Sequence, residues 1–369
     1  MKGLAGVRLL RARLHFARRR EQGQVWAYPL LKVAKFFHKV HRWTRPGSAR
    51  NPKTGALPCP IPFREMVINC DGTVACGSTA QAPILEALIE GAEPVGLTGI
   101  WEGEAFRSMR ARMLAGDRSA CQGCQLYQCP GFEPLSEEEQ TSNGGGAPRI
   151  HQLLIEPTAV CNFDCPTICG HSFPRSKQPV SARQVTFMPM DLFRRLVDAI
   201  DLPIDKICFY NYGEPLLHPE FSAMCRLMRE RCPSSIITTS TNGSRLGDPG
   251  VRAGLLASGL DELIVSVDGA SQATYEVYRR GGRFEDILRG MRLLREERDR
   301  AGLLRPRILW RYILFPWNDR DEDLAEAERL AGEIGVDRFC YHLSDLPGMA
   351  SETYRPGTEA FERIRGKLF

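Results

Sequence analysis

From residue 149 onward, short apolar runs rich in β-branched and aromatic residues alternate with longer segments whose apolar positions recur every three or four residues. The runs predict strands near 152–156, 206–210, 235–239, 262–267, 307–314 and 338–342, and the longer segments predict helices near 190–200, 218–232, 249–258, 283–301 and 321–334. Alternation of strand and helix builds right-handed crossovers and therefore a parallel sheet. Six such units predict an α/β fold, an open six-unit barrel rather than the closed eight-stranded one. Ahead of this region the pattern changes. "FREMVINCDGTVAC" (63–76) alternates apolar and polar positions about Asp71-Gly72 and reads as a hairpin, and "SEEEQTSNGGGAPR" (136–149) is a polar, Gly-rich linker. The chain accordingly divides into a basic amphipathic leader (1–53), a small cysteine-rich domain (54–132), a linker (133–148), the core (149–345) and a C-terminal extension (346–369).

Charge sharpens the leader. Residues 1–53 hold 14 Lys or Arg against one acid, Glu21, a net of +13; the whole chain is +5, so the remainder carries −8. "RRR" (18–20) beside "YPLLKVAKFF" (28–37) fits a basic amphipathic helix, suited to peripheral contact with an anionic membrane or an acidic partner, or to packing on the body. No base-reading pattern accompanies it, so nucleic acid is not expected as a partner. No run of 18 apolar residues predicts a membrane-crossing helix, and the arginine-rich start argues against a secretory signal. Thirteen cysteines in 369 residues fall in clusters rather than a disulfide framework, which points to metal binding in a reducing, cytoplasmic compartment.

The densest cluster lies in "EPTAVCNFDCPTICGHSF" (156–173), just past the first core strand, where Cys161, Cys165 and Cys169 are four residues apart. A helix would spread them over roughly 12 Å, too far for one small centre, and Pro166 opposes a helix in any case. The segment is therefore a loop at the carboxyl edge of the sheet, where α/β folds bind ligands. Other strands end there in polar residues: Tyr212-Gly213-Glu214-Pro215, then "TTSTNGSRL" (238–246), then "ELIVSVDGA" (262–270) with Ser266 and Asp268. Each alone reads as a turn; four on one edge describe a pocket. A structural zinc site is the alternative for the three thiols and would need a fourth ligand such as His171.

"EPTAVCNFDC", "YGEPLLHPEF" (212–221) and "SVDGASQATYEVYRRGG" (266–282) together resemble the radical S-adenosylmethionine superfamily over about 149–345. The resemblance implies an enzyme with a partial (β/α)6 barrel, a 4Fe-4S cluster on Cys161, Cys165 and Cys169, and S-adenosylmethionine on the iron left open. It implies Glu214 for the cofactor's ammonium, Arg279 for its carboxylate, Ser266 and Asp268 for the ribose or carboxylate end, and Ser240 and Asn242 for the ribose. One departure is the last cysteine gap of three residues, Pro166, Thr167 and Ile168, where the family usually has two. A reductant such as flavodoxin or ferredoxin is the implied electron donor.

The 54–132 region resembles the SPASM or twitch auxiliary domain, placed here before the barrel rather than after it. One auxiliary 4Fe-4S cluster is expected, with Cys59, Cys76, Cys121, Cys124 and Cys129 as five candidates for four positions, Cys70 a weaker one, and zinc the alternative metal. Cys208, Cys225, Cys232 and Cys340 read as buried, inert thiols. The aromatic density of the fifth core strand and its exit (305–323) reads first as core, with Arg311, Tyr312, Trp317 and Asn318 as the alternative, candidates to meet a substrate. The expected substrate is a peptide or protein, since auxiliary-cluster enzymes often act on them; a carbohydrate or cell-envelope precursor is the alternative within the enzyme class. A noncatalytic iron-sulfur scaffold or sensor is the alternative outside it.

Overall fold

The computed structural model describes residues 59–77, 84–87, 96–115, 117, 119, 148–166, 185–344 and 348–369. These belong to one compact unit, Leu57–Phe369. The leader, Cys121, Cys124, Cys129, nearly all of the linker and Cys169 lie outside the described residues.

Nine strands form one sheet: β1 (Glu65–Ile68), β2 (Thr73–Ala75), β3 (Ile84–Ala87), β4 (Ile150–Ile155), β5 (Ile204–Phe209), β6 (Ile236–Thr241), β7 (Glu262–Ser266), β8 (Arg307–Leu314) and β9 (Arg338–Leu343). The order is β3-β2-β1-β4-β5-β6-β7-β8-β9. Strands β4 to β9 are mutually parallel and are the six core strands expected from the sequence. The helices are α1 (Ile61–Arg64), α2 (Leu97–Trp101), α3 (Glu104–Leu114), α4 (Met190–Asp198), α5 (Phe221–Arg231), α6 (Pro249–Leu256), α7 (Gln272–Tyr275), α8 (Phe284–Arg300), α9 (Asp321–Ile334) and α10 (Glu359–Ile364). Helix α5 starts three residues later than the periodicity suggests, because Pro215–Leu217 forms a separate 3-10 turn that ends at His218.

The hairpin forms as its alternation predicts. Val67 pairs with Ala75 and Ile68 with Val74, Gly72 takes φ 82°, and Asp71 accepts bonds from Thr73 N and Oγ1 (3.1 and 2.6 Å). Its position in the sheet was not legible in the sequence. Strand β1 pairs in parallel with β4, from Glu65 opposite Gln152 to Ile68 opposite Ile155, so the sheet continues from the core into the cysteine-rich region.

Strand register sorts the two faces of the sheet, because successive side chains point to opposite sides. Leu153, Ile155, Ile207, Phe209, Ile237, Leu263, Val265, Ile308 and Trp310 are all fully buried on one face. Helices cover it: Phe209 packs on Phe193 of α4 and Phe221 of α5, with ring centroids 5.9 Å apart in both pairs. The opposite, inner face is mixed. One row of register runs Val67, Leu154, Cys208, Thr238, Glu262, Arg307, and another runs Ser266, Arg311, Cys340. At the far edge the C-terminal extension joins the sheet, with Phe369 N bonded to Tyr341 O at 2.9 Å.

Candidate functional site

The loop after β4 is pinned before it reaches its first cysteine. Glu156 is buried, and its carboxylate accepts from Cys70 N (3.2 Å) and Tyr212 N (3.4 Å), joining the ends of β1, β4 and β5. Thr158 Oγ1 donates to Thr186 O (2.6 Å), and Val160 O accepts from Glu214 N (2.8 Å). A Cβ on Gly213 would lie 2.0 Å from Thr158 O, so only glycine lets these two loops approach so closely.

Beyond this anchor, Cys161 is half-buried and Cys165 buried. Cys161 Sγ accepts from Phe163 N (3.4 Å) and from Asn242 Nδ2 (3.8 Å). Asn242 Nδ2 also donates to Asn162 Oδ1 (2.9 Å), and Asn162 Nδ2 to Ser244 Oγ (2.9 Å). The end of β6 therefore supports the cysteine loop from below. Burial pushes the Cys161 thiol up to about 11 and raises Cys165 as well, so both carry protons at neutral pH unless a metal ionises them. N–H donors aimed at sulfur suit iron-sulfur ligation, where such bonds tune the cluster's potential.

Glu214 follows β5 and is almost wholly buried. Its Oε1 accepts from Leu216 N (3.1 Å) and Thr241 Oγ1 (2.6 Å), and its Oε2 from Asn242 N (2.7 Å). Burial raises its pKa, against these three bonds and the charge of Arg279. A carboxylate offers about four acceptor positions, so one remains on Oε2.

Asp268, just past β7, is completely buried. Its Oδ2 accepts from Arg279 Nε (2.6 Å) and its Oδ1 from Ile313 N (2.7 Å), which fixes the guanidinium beside Cys165. Burial opposes the Arg279 charge most strongly of any one cause, but Asp268 together with Cys165, Tyr278 and Tyr275 outweighs it and holds the guanidinium well above its usual range. Ser240 and Ser266 lie 3.5 Å apart on the inner face and both accept from Arg311 Nη2, at 3.2 and 2.7 Å.

Of the four candidates on the fifth core strand, Arg311 faces this edge of the sheet; the others do not. Asn318 is buried and locks the exit loop, donating to Asp268 O and Ile313 O (both 3.0 Å) and accepting from Phe315 N (2.7 Å). Tyr312 is buried and donates to Asn318 O (2.7 Å), while Trp317 stacks on Phe315 at 4.7 Å. Tyr312 and Asn318 spend their polar atoms on the loop itself, and Trp317 packs with its indole N–H buried and without a partner, so these three follow the core reading of the segment rather than the substrate-contact one.

The auxiliary candidates that are described sit in separate apolar clusters: Cys59 against Phe63, Met109 and Met113, and Cys76 with Val67, Ala75, Leu154 and Cys208. No group of three His, Cys, Asp or Glu side chains able to hold a metal occurs among the described residues. Cys208, expected to be inert, is fully buried, yet it shares the inner face with Tyr210, whose hydroxyl lies against it. Sequence reasoning missed Glu156 and Thr241. Glu156 directly precedes Pro157 in the quoted loop, but its partners come from two distant strands.

The sequence profile of the Radical SAM superfamily matches residues 155–331. An AdoMet-dependent heme synthase of Methanosarcina barkeri is 30% identical over 221 residues, 59% of this chain and 57% of that protein. A GTP 3',8-cyclase of Peptoclostridium acidaminophilum is 29% identical over 144 residues, 39% of this chain and 42% of its own. The chain thus spans about half the length of the curated relatives it matches. Among solved structures, Streptococcus suis SuiB bound to S-adenosylmethionine aligns over 58% of this chain and 46% of its own, with TM-score 0.41 and 17% identity. Coproporphyrinogen III oxidase (HemN) from Escherichia coli aligns over 60% and 49%, with TM-score 0.35 and 16% identity.

Proposed function

We propose that this chain, which the Radical SAM superfamily profile matches over residues 155–331, is a radical S-adenosylmethionine enzyme that reductively cleaves S-adenosylmethionine and abstracts hydrogen from a carbon of its substrate. The observation that carries this reading is the chain of contacts Glu214–Asn242–Cys161, which ties the ends of β5 and β6 to the cysteine loop after β4.

Cys161, Cys165 and Cys169 would hold three irons of a 4Fe-4S cluster, leaving the fourth to S-adenosylmethionine. When bound, the pair would supply one-electron reductive cleavage of the cofactor and hydrogen abstraction from substrate. Phe163 N and Asn242 Nδ2 orient and stabilise the Cys161 thiolate. The remaining acceptor position of Glu214 receives the cofactor's ammonium group. Arg279, fixed by Asp268, pairs with the cofactor's carboxylate. Asp268 acts through Arg279, since it is wholly buried with both oxygens engaged. Ser240, Asn242 and Ser266 are left for the ribose end.

The electron donor is a flavodoxin or ferredoxin, and the substrate class we favour is a peptide or protein. Support for that class is the resemblance of 54–132 to an auxiliary-cluster domain, with Cys59, Cys76, Cys121, Cys124 and Cys129 as candidate ligands of a second 4Fe-4S cluster. Among the described residues no helix is long and apolar enough to cross a membrane; peripheral contact through residues 1–53 belongs to the same proposal. The test is direct. Anaerobically reconstituted, reduced protein should form 5'-deoxyadenosine from S-adenosylmethionine, and protein that carries the cluster yet forms none would leave only the noncatalytic scaffold.

A further inference from the structure

Tyr275 ends the short helix α7 and is completely buried, and its hydroxyl has no hydrogen-bond partner among the described residues. A buried hydroxyl left alone is costly, and such a group in a native structure calls for a ligand, an ion or a redox centre to engage it. Its place is fixed from both ends. Ser271 and Thr274 close a capping box at the start of α7, and a Cβ on Gly269 would lie 2.3 Å from Tyr275 N, so the end of the helix seats directly on the β7 exit. The ring packs on Phe284, with centroids 5.8 Å apart.

Contacts on two sides put this hydroxyl at the cysteine loop. Arg279 N donates to Tyr275 O (3.0 Å), one helical turn, which brings the two side chains to one face, and Arg279 is the guanidinium that stands beside Cys165. A Cβ on Gly282 would lie 2.5 Å from the Tyr275 hydroxyl and 2.8 Å from Phe163 Cζ, so hydroxyl and ring tip flank one point, and Phe163 lies between Cys161 and Cys165. Burial first, then the charges of Asp268, Cys165 and Glu214 against that of Arg279, raise the phenol well above its usual range, so the hydroxyl keeps its proton. The surroundings give a water little to hold. The rings of Phe163 and Phe284 are apolar, and Gly282 N and O are already bonded to Arg279 O (3.1 Å) and Gln272 Nε2 (3.1 Å).

We propose that Tyr275 tunes the iron-sulfur cluster: its hydroxyl donates a hydrogen bond to a sulfur of the cluster carried by Cys161, Cys165 and Cys169 and thereby raises the reduction potential. Reduction adds negative charge to the sulfurs, so a donor aimed at them stabilises the reduced state more than the oxidised one, and the low dielectric of a buried site enlarges the difference. Phe163 N and Asn242 Nδ2 serve Cys161 in this way; Tyr275 adds a donor beside Cys165. The inference rests on the radical S-adenosylmethionine reading for the cluster. It gives Tyr275 no contact with S-adenosylmethionine or substrate, and it uses none of the residues placed on either.

The test is Tyr275→Phe in the full chain, anaerobically reconstituted and titrated with reductant in the absence of S-adenosylmethionine. The signal followed is the paramagnetic resonance of the reduced cluster that disappears when Cys161, Cys165 and Cys169 are changed together to Ala. Iron per chain should match wild type, and the midpoint should move to lower potential. The expected drop in the reduction constant is about tenfold, the order of one hydrogen bond, which is about 59 mV for one electron. In deuterated buffer, pulsed electron-nuclear double resonance on the same signal should lose one exchangeable deuteron in the variant, while those of Phe163 N and Asn242 Nδ2 remain. An unchanged midpoint and deuteron count overturn the proposal. Loss of the cluster in Tyr275→Phe would make the hydroxyl a structural support, and an unchanged midpoint with weakened S-adenosylmethionine binding would assign it to the cofactor; either result overturns it as well. Wild type without the three-cysteine signal overturns the proposed function and this inference together, whereas a signal whose midpoint ignores Tyr275→Phe overturns the inference alone.

Discussion

At Glu214, three bonds from Leu216 N, Thr241 Oγ1 and Asn242 N leave one acceptor position. Glu214→Gln removes the charge that would meet an ammonium, and a charge-assisted bond contributes roughly 1.5 to 3 kcal/mol. The expected result is a loss of about tenfold to a hundredfold in S-adenosylmethionine affinity, read by anaerobic equilibrium titration, with iron content retained. Packing does not escape unchanged. The amide NH2 must face a donor on at least one side, so a drop in thermal stability should accompany the lost affinity. Glu65, half-buried on the inner face, gives a pH prediction. Burial, partly opposed by Arg64, raises its pKa from 4.5 to about 7. Between those values the folded state holds a proton that the unfolded state has released, so stability falls as pH rises through that window and is level above it. Glu65→Gln should abolish this dependence. The variant should match wild type near the bottom of the window and exceed it above the top by at most about 3 kcal/mol before solvent screening, measured by urea denaturation across pH.

Between elements, the tightest constraint is the contact of the β5 exit with the loop after β4. Gly213→Ala puts a methyl 2.0 Å from Thr158 O and 2.8 Å from Val160 O, both backbone atoms that cannot swing aside. The loops must separate, moving Glu214 away from Asn242 and the cysteine segment away from β6. The protein should fold with its sheet intact, and iron per chain after reconstitution should fall by one cluster's content; unchanged iron would show that the loops are not coupled. On the other side of the site, Asp268 joins β7 to β8 and holds Arg279. Removing one partner from a buried ion pair typically costs about 3 to 5 kcal/mol. Asp268→Asn keeps one acceptor oxygen, so a loss towards the lower end is expected in chemical denaturation, together with weaker S-adenosylmethionine binding through a misplaced Arg279.

At the scale of the molecule, the sheet runs unbroken from the cysteine-rich hairpin through all six core strands. Cys70 stands at the hairpin turn, its N bonded to Glu156 and its Sγ to Val185 O (3.2 Å), so the front region and the cysteine loop share one anchor. If that region holds its own cluster, reconstituted protein should carry iron for two four-iron clusters. Changing Cys161, Cys165 and Cys169 together to Ala should remove one of them and leave the other. Iron for a single cluster in the unmutated chain would remove the auxiliary cluster.

The sequence by itself determined the elements. The periodicity of apolar positions located all six core strands within a few residues, because a strand buried on one face must repeat every second residue and a helix every three to four. Asp71-Gly72 marked the hairpin, since a positive φ at Gly72 needs that residue type locally. Cys161, Cys165, Glu214 and the polar strand ends were readable for the same reason: each sits at a fixed offset from its own strand. What only the tertiary structure decided were relations between distant segments. The pairing of β1 with β4, the three donors around Glu214, the Asp268–Arg279–Ile313 junction and the placing of Arg311 between two serines all depend on strand order and register. Those are set by long-range packing, which leaves no periodic trace in the sequence. Asn318 illustrates the difference: beside an aromatic strand exit its sequence is open to packing or to substrate contact, and only the fold shows its side chain closing the loop that carries it.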